Sequence, residues 1–168
     1  MIGSPQKVYL NLESNQNYSG YIISDFYRPA KYIFRIKTKN SEDINHRIDL
    51  DSEVVCKTMN ELESQGIESL KKCEEIDECK KIVYLDGDGS SFKIIKGDKE
   101  LIVDYNGIYP ENKLKDNIEK VDYREKAQKL LTTLENNLDL KAKFRLALKE
   151  IKSPYCYFCG GTSTCCTK

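Results

Sequence analysis

A period of two, broken at short intervals by turn residues, constrains this chain more than any other feature. Val8, Leu10 and Leu12 alternate with polar neighbours, and Tyr32, Phe34 and Ile36 alternate with Ile33, Arg35 and Lys37. Successive side chains of a strand leave opposite faces, so each run reads as a half-buried strand. Tyr21-Ile-Ile-Ser-Asp-Phe-Tyr27 reads as a strand between them, entered through the turn at Asn15–Gly20. No connection here is long enough for the crossover that parallel strands need, which predicts an antiparallel meander. Strands return at Ile82–Leu85, Ser91–Ile95 and Glu100–Tyr105, separated by Asp86-Gly-Asp-Gly89 and Gly97-Asp-Lys99. Gly and Asp tolerate the positive φ of a tight turn, so these separators predict hairpins.

Helical spacing interrupts the strands once and follows them at the end. Val55, Met59 and Leu62 recur at i, i+4, i+7 behind Asp51 and Ser52, either of which can cap a helix, and Gly66 is placed to end it. Ile67–Lys81 reads as a short helix or an irregular connection. From Asp122 to Lys152 two apolar stripes appear, Ala127-Leu130-Leu131-Leu134-Leu138 and then Phe144-Leu148-Ile151. Their register shifts near Asn136-Asn137, which predicts a break there with Asp139 capping the second piece. Ser153-Pro154 stops it, because the residue before proline avoids the helical region. The pattern predicts an α+β fold: a mainly antiparallel sheet of meander and hairpins, one inserted helix, and C-terminal helices packed on one face. The expected division is a single domain over 1–152 and a Cys-rich tail over 153–168.

Composition removes several function classes. Lys+Arg and Asp+Glu are equal at 27 each among 168 residues, and non-specific nucleic-acid binding needs a basic excess. No apolar run approaches the length of a membrane span. The start, Met1-Ile-Gly-Ser-Pro-Gln, has neither a basic nor an apolar stretch, so the expectation is a cytoplasmic protein. The charges are nonetheless blocked: basic over 1–41, acidic over 42–80, basic again over 139–153, the pattern of solvated faces that attract one another.

Most polar motifs have plain explanations. Asp86 and Asp88 stand at i and i+2, as in a Ca²⁺ loop, but the twelfth residue counted from Asp86 is Gly97, where such a loop needs a bidentate acid. A hairpin without calcium is expected. His46, the single histidine, has no serine or cysteine beside it in sequence and reads as an ordinary surface or partly buried residue. Tyr18, Tyr21, Tyr27 and Tyr32, four of the 11 tyrosines, fall in or near the first strands, where packing accounts for them. Cys56, Cys73 and Cys79 are most simply small buried hydrophobes or surface thiols, and Cys73 could pair with Cys79 in an exported protein.

The tail differs in kind. Cys156, Cys159, Cys165 and Cys166 are spaced C-x₂-C-x₅-C-C amid Gly, Ser, Thr and aromatic residues. Two thiolates at C-x₂-C spacing can reach one Zn²⁺, whereas adjacent Cys165 and Cys166 diverge and make a poor second pair; Cu(I) is less demanding in geometry. Redox chemistry by Cys156-Tyr-Phe-Cys159 lacks a following helix to lower the thiol pKa. A disulfide-stapled terminus needs an oxidising compartment. A helical region followed by a short Cys/Ser/Thr/Gly/aromatic segment resembles, in layout, the precursors of ribosomally made, modified peptides, and that resemblance implies a tail-modifying enzyme as partner. No nucleophile–base pair, carboxylate dyad or phosphate loop can be read from the chain. The expectation is a non-enzymatic binding or presenting domain carrying a Cys-rich peptide whose protein partner or modifying enzyme acts at those four cysteines. The alternatives are a thiolate Zn or Cu(I) protein, and an interaction or inhibitor module with an incidental tail. Few core contacts are expected to cross Pro154.

Overall fold

In a computed structural model the structure describes residues 5–13, 17–33, 36–72, 75–77, 89–111, 118–160 and 163–167. The fold is α+β, and its strand pairs are antiparallel. The chain forms two compact units, Met1–Cys56 with Asp139–Lys168, and Lys57–Leu138.

The first unit is organised around β2 (Tyr18–Arg28). β1 (Gln6–Leu12) pairs with it from Gln6↔Ser24 to Leu12↔Tyr18, and β5 (Glu42–Asp49) pairs with it from Tyr21↔Asp49 to Arg28↔Glu42. One face carries Val8, Ile22, Ile48, Phe26 and Ile44, and Ile22 and Phe26 are buried. Tyr9, Tyr21 and Arg47 lie on the other face, where the Tyr9 and Tyr21 rings stack at 4.6 Å and the Arg47 guanidinium sits 3.8 Å over Tyr21. The close approach of β1 and the first turn of α1 (Ser52–Ser64) requires glycine at position 20: a Cβ there would stand 2.7 Å from Tyr9 O and 3.0 Å from Val55 Cγ2. Asp51 is the cap, accepting from the Glu53 amide at 2.8 Å. The basic first block meets the acidic second one locally. Arg28, 3.2 Å from Glu42, is the chief cause, with Lys39, that holds the Glu42 carboxyl below its ordinary range.

The alternation over 32–36 does not form one strand. β3 (Lys31–Ile33) and β4 (Ile36–Lys39) pair antiparallel with Ile33 opposite Ile36, so the chain reverses inside the run. Phe34 lies outside the described residues.

The second unit holds the rest of α1, a 3₁₀ turn at Ile67–Ser69, the hairpin β6 (Gly89–Lys96) and β7 (Lys99–Asn106), and α2 (Asp122–Leu138). Gly66 follows α1 at φ 77° and Gly97 turns the hairpin at φ 58°, both left-handed as their sequence positions require. Phe92, Val103, Tyr105, Ile108 and Leu130 are buried. Arg124, 3% exposed, is held by the Glu119 carboxylate at 2.7 Å and donates to the carbonyls of Asn106 and Gly107. The expected strand at 82–85, the Asp86 and Asp88 turn, Cys73 and Cys79 lie outside the described residues.

The helical break falls at Asp139, which has φ 46° and accepts from the Ala142 amide to start α3 (Leu140–Glu150) in the first unit. Phe144 on α3 stacks on Phe26 at 5.7 Å, so this helix covers the apolar face of the sheet.

Candidate functional site

The tail folds as a hairpin. Ile151 already has extended φ and ψ, ending α3, and Pro154 lies beyond it. Tyr155 then turns inward. It is 3% exposed, donates from its hydroxyl to Leu148 O at 2.6 Å, and meets Phe26 edge-on at 5.3 Å. Burial pushes its phenol pKa up. β8 (Cys156–Gly160) and β9 (Ser163–Cys166) pair antiparallel, with Cys156 opposite Cys166 and Tyr157 opposite Cys165.

The cysteine spacing acquires its meaning from this register. Cys156 is bonded to Cys166, and Cys159 to Cys165. Adjacent residues of a strand leave opposite faces, so Cys165 and Cys166 point apart. The divergence that makes them a poor pair on one metal suits them to two disulfides, one on each side of the hairpin. A disulfide sulfur is no thiolate and holds neither Zn²⁺ nor Cu(I), so a tetrathiolate centre and these two bonds are alternative states of the same four residues. Among the described residues no group of three or more His, Cys, Asp or Glu side chains is placed to hold a metal.

The hairpin is also docked. β8 meets β2 at Tyr27↔Cys156, Cys156 is 2% exposed, and Tyr157 packs edge-on to both Phe26 and Phe144. The expectation that few core contacts cross Pro154 is thus overturned. Tyr155 and Tyr157 carry the apolar face of the sheet across into the tail, because the alternation Tyr155, Tyr157 is in phase with Phe26. On the opposite face Phe158 leans toward Tyr27, with ring centroids 6.2 Å apart, yet remains 55% exposed.

His46 is not isolated in three dimensions. Its Nε2 lies 2.6 Å from Glu150 Oε2 on α3, and its cross-strand partner is Ser24. No sequence proximity could have shown either neighbour, since both arise from β2–β5 register and helix docking.

No helix among the described residues is long and apolar enough to cross a membrane. No protein-family model, curated protein or solved structure matches the chain.

Proposed function

We infer that this chain is a non-enzymatic binding protein whose contact element is the C-terminal hairpin, presented in its disulfide-bonded form to a protein partner. The observation that carries the reading is Phe158, 55% exposed on a hairpin braced by two disulfides and seated on the body through Tyr155. Exposed aromatic anchors dominate interface energetics, and rigidifying a contact loop in advance lowers the entropic cost of binding. The docked and paired state of the cysteines favours this reading over a tail awaiting a modifying enzyme, which needs an accessible segment with free thiols. It likewise favours it over four thiolates on Zn or Cu(I). Paired cysteines also support work in an oxidising compartment, against the cytoplasmic expectation drawn from the first residues.

The test is photo-crosslinking from position 158 in native extract, with position 95 in the second unit as control, where Ile95 is 62% exposed. A discrete adduct from 158 alone, lost after thiol reduction, is the expected result. The same products from both positions, or none from 158, would remove the basis for the reading.

A further inference from the structure

Across the covered face of the first unit's sheet, one row is polar between apolar rows. Gln6, Ser24 and His46 stand in register on β1, β2 and β5. Val8, Ile22 and Ile48 form the row on one side, and Phe26 with Ile44 the row on the other. Ser24 is 1% exposed and its Oγ has no hydrogen-bond partner; the Nδ1 of His46 is likewise buried without one.

The tautomer follows from the other ring nitrogen. A carboxylate only accepts, so the Nε2 beside Glu150 carries a proton, and when that is the ring's single proton Nδ1 is an acceptor. Ser24 Oγ can donate and accept. Directly opposite residues on adjacent antiparallel strands hold their Cβ atoms roughly 5 Å apart, yet these two polar ends do not bond to each other. Burying both unbonded is unfavourable, and sites lined by such polar ends in protein interiors are ordinarily filled by ordered water.

The geometry points to a binding site for one water molecule between Ser24 Oγ and His46 Nδ1. The water donates one hydrogen to Nδ1 and shares its second bond with the Ser24 hydroxyl. Ser24, water, His46 and Glu150 then form one chain of hydrogen bonds from the central strand to α3, which fixes the imidazole tautomer. The site takes a small neutral donor–acceptor and nothing that requires a thiolate or a metal. It is independent of the proposed role of the hairpin.

Two readouts on the full, oxidised chain test it. The first is wild-type NMR: a slowly exchanging water should show cross-peaks to the amides or side chains of Ser24 and His46, with the ring in the Nε2–H form. The second is Ser24→Ala. An orphaned hydroxyl is better removed, so without the water this change would be neutral or stabilising. With the water it should lower the folding equilibrium constant about five- to thirtyfold and abolish the water signal. Absence of the water cross-peaks in the wild type overturns the proposal whatever the variant does. Labelling of Ser24 by a fluorophosphonate would also overturn it, by showing that the row opens to reagents and that the hydroxyl acts as a nucleophile.

Discussion

Replacing Tyr155 by alanine asks whether the tail belongs to the core. The ring is 3% exposed, meets Phe26 edge-on at 5.3 Å, and shares a cluster with Phe144 and Ala147. Removing a buried aromatic side chain to alanine costs about 3–5 kcal/mol, of which the edge-to-face contact accounts for roughly 1 kcal/mol. The hydroxyl also donates to Leu148 O at 2.6 Å. Tyr155→Phe keeps the ring and loses only that bond, a change of about 1 kcal/mol. The expected pair is thus about 4 and about 1 kcal/mol. The larger is a sizeable share of the 5–15 kcal/mol that holds a typical domain together. Urea unfolding followed by far-UV circular dichroism and tyrosine fluorescence measures both, since the chain has 0 Trp. Hydrogen exchange at the β2 amides assigns the loss to the first unit. Tyr155→Ala should lower the urea midpoint by roughly 2 M. A cost below about 1 kcal/mol would refute the packing argument, and a chain truncated at Ser153 would then fold normally, as its sequence alone suggests.

The remaining predictions concern separate devices. Because burial raises the folded-state pKa of Tyr155 above its ordinary value, the stability this group contributes is intact below about pH 10, the unfolded value, and is lost as pH rises through the folded one; alkaline unfolding of wild type should therefore begin at lower pH than that of Tyr155→Phe, read by circular dichroism. Replacing Cys156 and Cys166 by serine should cost about 2–3 kcal/mol by loop-closure entropy and release the hairpin, detected as faster amide exchange at Tyr27; unchanged exchange would show that packing alone seats it. Asp139→Ala removes the α3 cap and leaves a β-carbon residue at φ 46°, so thermal melting should report a loss of about 1–2 kcal/mol, while Asp139→Asn should lose less. Gly20→Ala should destabilise by more than the roughly 1 kcal/mol of an ordinary strand substitution, because the added carbon meets backbone oxygen that cannot move aside; a neutral melt would mean that β1 and β2 spread freely there.

Legibility followed the range of the interaction. The β6–β7 hairpin announced itself because Gly97-Asp98 supplies a turn between two alternating runs, and the α2–α3 break because a helical stripe cannot change register without interrupting the helix. Those are local constraints. The reversal between Ile33 and Ile36 had no such marker, since Phe34-Arg35 includes no Gly, Pro, Asn or Asp. β5 did carry a signal: Ile44, His46 and Ile48 alternate with charged and amide residues, and a histidine in the apolar phase reads as partly covered. Its partners Ser24 and Glu150 could not be read, being set by register and by the docking of α3. In the tail a second period-two pattern runs through the cysteines, Tyr155 and Tyr157 against Cys156 and Phe158. That alternation marks a strand with one apolar face, but its partner Tyr27 lies near the other end of the chain, and pairing over such a distance leaves no local trace.

The shared edge of β2 explains why a terminus so rich in cysteine is built into the body. β5 occupies one edge of β2 from Tyr21 to Arg28. A strand has two edges, so β1 and β8 must share the other, β1 over Tyr18–Ser24 and β8 where it meets Tyr27. The end of β2 near Tyr27 would otherwise present unpaired backbone groups, and an open strand edge invites pairing with another chain. The hairpin closes that position with a strand too short to be stable alone. Its own order must therefore be supplied from outside the ladder, by Tyr155 in the core below and by a disulfide on each side. The same arrangement that closes the edge of the sheet leaves the ring of Phe158 exposed on a support braced by two disulfides.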